Sequence, residues 1–226
     1  MILKKVKYAV AALSLSAFMA APGVAATNYI VNGGFEDGVG MGNNSWGVYD
    51  AIPGWATTMG RGIEVQNGNN IGGATPYEGL RKVELDSHNR SGTGSSNDNT
   101  NSGMQQKLTL GAGTYEFSFA YLGRTNDENT NGIGYSLMNG ILNDAVTGQR
   151  TDGWVVLSHL FTLDAITDIF VNFWAKGTED TYGGYLDDVR ISAVPLPAAL
   201  PLYGAGLAVM GLIGWQRKRK AAAATV

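Results

Sequence analysis

Between Thr27 and Ala193 the chain alternates apolar and polar residues in short runs, each broken by glycine or a polar turn. GIEVQNG (62–68) and LRKVELDSH (80–88) each read as a strand with one apolar and one polar face. MQQKLTLGAGTYEFSFAYLGR (104–124) reads as strand, glycine-rich turn and strand, which predicts a hairpin, and GIGYSLMNGILND (132–144) has the same form. WVVLSHLFTLDA (154–165), TDIFVNFWAKG (167–177) and GYLDDVRISA (184–193) complete the set, and NYIVNGGFED (28–37) opens it with a short strand and a Gly33-Gly34 turn. No window sustains a helical period. Several short strands with regular turn signals predict an all-β fold, an antiparallel β-sandwich of the jelly-roll kind. SGTGSSNDNTNSG, from Ser91 to Gly103, has no large apolar residue and reads as a long loop.

The pattern changes at both ends. MILKKVK is followed by the apolar run YAVAALSLSAFMAAPGVA, and Val24-Ala25-Ala26 offers small residues for cleavage, so residues 1–26 read as a secretory signal peptide, the substrate of signal peptidase. A short N-terminal anchor is the alternative. At the other end, Ala198 to Trp215 is a run of 18 residues without a charge. At about 1.5 Å per residue it just reaches across a hydrocarbon core of about 30 Å. Arg217, Lys218, Arg219 and Lys220 follow and would stay cytoplasmic. The chain thus divides into a signal peptide (1–26), a β-sandwich body (27–193) and a tail (194–220).

Removing Lys4, Lys5 and Lys7 together with the four basic tail residues leaves nine basic residues in the body against nineteen acidic ones, a net charge of −10. Such a body repels nucleic acid and anionic surfaces and is compatible with hard cations. The chain has no cysteine, which excludes thiol catalysis and disulfide support. It also carries no nucleophile elbow, no HExxH zinc motif and no phosphate-cradling glycine loop. Carboxylate pairs such as Glu179-Asp180 exist, but nothing in the sequence shows them converging.

The tail resembles the PEP-CTERM sorting signal of Gram-negative bacteria that secrete exopolysaccharide. The resemblance lies in Val194-Pro195-Leu196-Pro197-Ala198, then the apolar run from Leu202 to Trp215, then Arg217 to Lys220. The usual motif has Glu between its prolines, where this chain has Leu196. The resemblance implies processing by an exosortase at the membrane and delivery from the inner membrane to the envelope or extracellular matrix. A plain C-terminal anchor is the alternative. VNGGFEDG, IPGW, GAGTYEFSFAY and YLDDVRI, in that order, resemble the galactose-binding-like jelly rolls, a group that includes many carbohydrate-binding modules. That resemblance implies a structural calcium held by Glu36 and Asp187, with Asp188 as alternate. Asp187 alternates with Val189 and Ile191, so it is expected on their apolar side, where a carboxylate needs a partner. Hydrogen bonds from turn amides would serve in place of a metal.

Further candidates are weaker in pattern. DENTNG (127–132) matches half of a calcium loop but has Met138 where the twelfth-position Glu belongs, so it reads as a polar turn. VELDSH puts Glu84, Asp86 and His88 on one strand face, either a sugar- or metal-binding cluster or simply the wet face of an amphipathic strand, the reading the pattern favours. His159 reads as structural. Trp46 and Tyr49 sit in the polar loop GNNSWGVYD and are the candidate sugar platform, or else cover the core edge; Trp55, Trp154 and Trp174 are expected in the core. The expected function is that of a secreted, non-catalytic matrix protein that binds polysaccharide. The alternatives are a polysaccharide-active enzyme, marked by a convergent pair of exposed carboxylates, and a purely structural or adhesive protein, marked by neither that pair nor exposed aromatics.

Overall fold

Twelve strands account for nearly all regular structure in the computed structural model, which describes residues 27–68, 71–88, 99–137, 140–194, 206–208, 210–212 and 215. They are β1 (Ser45–Tyr49), β2 (Ala51–Ile52), β3 (Trp55–Met59), β4 (Ile63–Asn67), β5 (Arg81–Glu84), β6 (Gly103–Leu110), β7 (Gly113–Leu122), β8 (Ile133–Leu137), β9 (Leu142–Val146), β10 (Val155–Leu163), β11 (Thr167–Ala175) and β12 (Tyr185–Ala193). One sheet runs β1-β4-β5-β12-β7-β10 and the other β2-β3-β6-β11-β8-β9. Every pair is antiparallel. The protein is therefore all-β, with two antiparallel sheets as expected.

The period-two pattern explains the core. Ile63 and Val65 of β4, Val83 of β5, Phe117 and Phe119 of β7, and Ile169, Val171 and Phe173 of β11 are fully buried between the sheets. Trp55 lies among them, its ring 6.0 Å from Phe35 and 6.1 Å from Phe173, with Nε1 donating to the Asn32 carbonyl. Phe35 reaches this position from a left-handed backbone (φ 60). The turn is pressed against β12 at Gly33, where a Cβ would come within 2.0 Å of the Val189 carbonyl oxygen, a contact only glycine permits.

Two strand expectations change. The run 104–124 is not a hairpin: β6 and β7 belong to different sheets, and the chain crosses the core edge at Gly111-Ala112. Alternation shows which side chains face inward, but two strands facing each other across a core show the same alternation as two strands side by side. The run 132–144 does form a hairpin, β8 with β9.

Asp187 is the second change. β12 carries an extra residue between Asp187, opposite Ala120, and Arg190, opposite Ser118, and Asp188 takes the left-handed conformation (φ 47). This bulge reverses the alternation. Leu186, Val189 and Ile191 face the core, while Asp187 shares the outer face with Tyr185.

Among the described residues no helix is long and apolar enough to cross a membrane. The 198–215 run falls mostly outside those residues; 206–208, 210–212 and 215 are helical, with Leu207, Met210, Leu212 and Trp215 exposed. Residues 1–26, Pro195 to Ala198 and Arg217 to Lys220 lie outside the described residues, as does most of the 91–103 loop.

Candidate functional site

Ladder register builds the site. Side chains at paired positions share a face. Val48, Glu64, Glu84, Tyr185 and Leu122 thus form one row across β1, β4, β5, β12 and β7, and Trp46, Gln66 and Lys82 form the next. All point away from the core on the outer face of the first sheet. A strand face bearing two glutamates, a glutamine and a lysine should be wet, yet Glu64, Gln66, Lys82, Glu84 and Asp86 are all at most 1% exposed. The wet-face reading of VELDSH is therefore overturned.

The segment from Ile71 to Leu80 lies over Lys82 and Gln66, tied down by the groups beneath it, while His88, Arg124 and the Asp180–Gly183 turn close over Glu64, Glu84 and Asp86. Lys82 Nζ donates to the carbonyls of Ile71 and Ala74, both at 2.9 Å. Tyr185 Oη and Arg150 both donate to the Gly72 carbonyl, and Trp154 Nε1 donates to that of Thr75. Gly72 is left-handed (φ 61), and a Cβ there would come within 1.8 Å of Tyr185 Oη. Below the strap, Ala74, Leu122 and Tyr185 form a small apolar cluster separate from the main core.

Most of the buried polar groups are bound to one another. Gln66 Nε2 donates to Glu64 Oε1 at 2.9 Å and to Glu84 Oε2 at 2.6 Å, bridging two carboxylates that face each other across the ladder. Glu84 Oε1 accepts from the Gly183 amide and from the Arg124 guanidinium. Burial, and then Glu64 opposite, push the Glu84 carboxyl well above its ordinary value, while Arg124 and the Gly183 amide pull the other way. Burial lowers Lys82 to about 8, with Glu84 partly offsetting it. Asp86 Oδ2 accepts the amides of Asp180 and Tyr182, and burial raises its carboxyl. Glu64 Oε2 accepts the His88 amide at 2.8 Å and faces His88 Nδ1 at 3.0 Å. Burial works against the Glu64 charge, but the bonds to His88 and Gln66 outweigh it and hold that carboxyl below its ordinary value.

Of the three VELDSH candidates, then, Glu84 and Asp86 are structural anchors and only His88, one-third exposed at its side chain, reaches the surface. Its ring packs on Trp46 with centroids 4.9 Å apart. Trp46 and Tyr49 lie on strand β1 and not in a loop; Trp46 is exposed (41%), but Tyr49 is three positions on, on the other face, packed at the core edge, so the two do not form one platform. A second aromatic pair was not foreseen. Tyr77 on the strap (44% exposed) meets Trp154 edge-on at 5.9 Å, so Trp154 is a half-buried surface residue and not a core one. Trp174 also leaves the core, pointing outward on β11 over Gly134. His159 is structural, at 3.0 Å from Tyr135 Oη.

Glu36 and Asp187 both end on the strap. Glu36 Oε1 accepts the amides of Leu80 and Arg81 at 2.7 and 2.9 Å. Asp187 Oδ2 accepts those of Tyr77 and Glu78 at 2.8 and 3.1 Å, and Oδ1 that of Asp188. Burial raises Asp187 to about 7 even so. Asp188 pairs instead with Arg190, at 2.5 Å. These amides take both oxygens of Asp187 and Oε1 of Glu36, leaving Glu36 Oε2 at the surface. Calcium needs oxygen donors, so an ion here would have to take oxygens now turned to N–H groups and fill its shell from nearby carbonyls. Among the described residues there is no cluster of three or more His, Asp or Glu arranged for a metal. In DENTNG, Asp127 Oδ1 accepts the backbone and side-chain N–H of Asn129, and Asn131 is buried with Nδ2 on the carbonyls of Thr125 and Gly148, a self-contained polar turn.

Glu64, Gln66, Arg124, Tyr77 and the role of Trp154 escaped the sequence because each depends on chain segments far away in number. No protein-family model matches this chain, and no curated protein matches it. Solved structures do. A cyclase from Fischerella sp. TAU is 15% identical with a TM-score of 0.52, covering 75% of this chain and 97% of its own. A carbohydrate-binding module complexed with β-1,4-galactotriose is 18% identical with a TM-score of 0.45, covering 74% and 99%. The C-terminal family 22 carbohydrate-binding module of Clostridium thermocellum Xyn10B is 19% identical with a TM-score of 0.40, covering 74% and 94%. At these identities the likeness is one of fold alone, and of the three only the cyclase has a TM-score above 0.5.

Proposed function

We propose that this chain is an exported, non-catalytic glycan-binding protein that takes its ligand on the outer face of the first sheet, against exposed aromatic side chains at either side of the strap. The observation that carries this reading is the pair of aromatic groups, Trp46 with His88 and Tyr77 with Trp154, exposed on one sheet face. Flat aromatic rings offer apolar area to the C–H face of a pyranose. Glycan binding agrees with the jelly-roll resemblance of the sequence. The enzyme alternative needs two carboxylates open to a substrate. Glu64 and Glu84 converge, but they are buried and bridged by Gln66.

The test is a glycan array probed with the full chain in mild detergent, alongside Trp46→Ala and a Tyr77→Ala/Trp154→Ala double variant. Loss of array signal in at least one variant with unchanged folding is expected. A wild-type protein that binds nothing, or variants that bind as well as wild type, would defeat the reading.

The structural calcium belongs to the same proposal, with Glu36 and Asp187 as its carboxylate ligands. Calcium at about one hundred times its Kd would stabilise by about 2.7 kcal/mol. The expected result is a rise in Tm with calcium that Glu36→Ala abolishes; identical melting in calcium and chelator would remove the ion. For the tail we propose processing by an exosortase-type enzyme after transient membrane insertion, with final delivery to the envelope or matrix of a Gram-negative cell. Replacing Arg217 to Lys220 by neutral residues should leave the chain unprocessed.

A further inference from the structure

The pairing of His88 goes beyond a side chain placed beside an aromatic ring. Its Nδ1 lies 3.0 Å from Glu64 Oε2, and its own backbone N–H donates to the same oxygen at 2.8 Å. Glu64 is 1% exposed and also holds Gln66 Nε2, which is shared with Glu84. An ionised carboxylate only accepts, so the proton of a neutral His88 must sit on Nδ1. Nε2 is then left with its lone pair, on the ring edge that points away from Glu64. Among the described residues no group hydrogen-bonds to it. The ring is steadied further by Trp46, at 4.9 Å.

We propose that His88 Nε2 is the hydrogen-bond acceptor for a sugar hydroxyl in the glycan site, and that Glu64 is the positioning residue that fixes its tautomer and aim. This inference rests on the glycan-binding reading and deepens it. A pyranose lying flat on the Trp46 ring projects its equatorial hydroxyls outward in the plane of the sugar. The His88 ring, its centroid 4.9 Å from that of Trp46 and its plane tilted by 41°, is the polar ring beside that platform. The geometry also selects the ligand class. Glu64, held ionised, lies against His88 on a body of net charge −10, so a neutral pyranoside is accepted and a uronic acid is repelled. Glu84 and Asp86, which share the VELDSH face, do not touch ligand, because both are fully buried, with the Glu84 oxygens held by Gln66, Arg124 and Gly183 and Asp86 Oδ2 by the amides of Asp180 and Tyr182.

The experiment reads the tautomer and the contact separately. The chain has two histidines, so a ring-nitrogen NMR spectrum of the full chain in mild detergent holds two imidazoles, and His88→Gln assigns them. In its neutral state, reached by raising the pH through the titration, wild-type His88 should be the Nδ1–H form, and Glu64→Gln should shift it toward Nε2–H. Neutral oligosaccharides of the glycan array, xylohexaose and β-1,4-galactotriose included, should move the Nε2 resonance, whereas trigalacturonate should not. His88→Phe keeps a ring against Trp46 and removes the acceptor; it should weaken neutral-glycan binding by about tenfold, the worth of one good hydrogen bond. This variant sits at the surface and tests the contact even where Glu64→Gln fails to fold. A wild-type His88 in the Nε2–H form overturns the inference, as does neutral-glycan binding that leaves Nε2 and the His88→Phe affinity unchanged; glycan binding then stands by itself. Absence of any glycan binding removes the wider reading and this inference with it.

Discussion

β5 and β11 have the same grammar and opposite fates. Each alternates inward apolar residues with outward polar or mixed ones. On β11 the outward Asp168 is exposed and meets Lys107 of β6 at 2.7 Å, a surface pair with both side chains about half exposed. On β5 the outward Lys82 and Glu84, with Asp86 just beyond, are sealed from water. The difference does not lie in the strands. Among the described residues nothing comparable is laid over the outer face at β11, whereas the face at β5 lies beneath the 71–80 strap, with the Asp180–Gly183 turn giving amides to Asp86 and Glu84. An outward charge on a sheet thus becomes either a solvated group of little energetic consequence or a structural one that cannot be removed cheaply, depending on what the rest of the chain brings to it.

The comparison can be broken by mutation. Glu84→Ala leaves Arg124 without its carboxylate in a buried site, and a loss of about 3–5 kcal/mol is expected, read from denaturant unfolding. A loss below about 1 kcal/mol would mean the β5 charges are no more structural than those of β11. A smaller effect sharpens the contrast through pH. Burial raises Asp187 to about 7, so the folded chain holds that proton more tightly than the unfolded chain, whose aspartates titrate near 3.9. Stability should therefore fall as pH rises from about 4 to about 7, by at most ~1.4 kcal/mol per pH unit from this group. Asp187→Asn should flatten that slope; an unchanged slope would show that Asp187 titrates normally. Lys82 has the opposite sign, since its folded value of about 8 lies below that of a free lysine, and stability gains as pH rises from there toward about 10.4. The smallest effect belongs to β11. Asp168→Asn should leave the unfolding midpoint unchanged within error, and a clear shift would erase the contrast with β5.

The strands that carry the site were legible, and the site was largely not. Ile63, Val65 and Val83 announce β4 and β5, and the same residues fill the core. Glu84, Asp86 and His88 were rightly placed on one face, yet their roles divided, because Gly183, Asp180 and Tyr182 arrive from a hundred residues away to engage the first two and leave His88 outside. Asp187 was placed on the wrong face, because a single bulge reverses the period and β-bulges leave no reliable mark in local composition. Strand apolarity puts Trp154 in the core, and the structure does not, since apolarity records what a side chain avoids and not whether a particular neighbour covers it.

By itself, then, the sequence determined the all-β class, most strand positions and which residues of each strand fill the core, because alternation is a property of the extended backbone and acts over a few residues. Only the tertiary structure decided that β6 and β7 part into separate sheets, that the strap seals a charged face, and that His88, beside Trp46, reaches the surface while Glu84 and Asp86 do not. Those outcomes depend on hydrogen bonds and burial between segments distant along the chain, which no local pattern encodes.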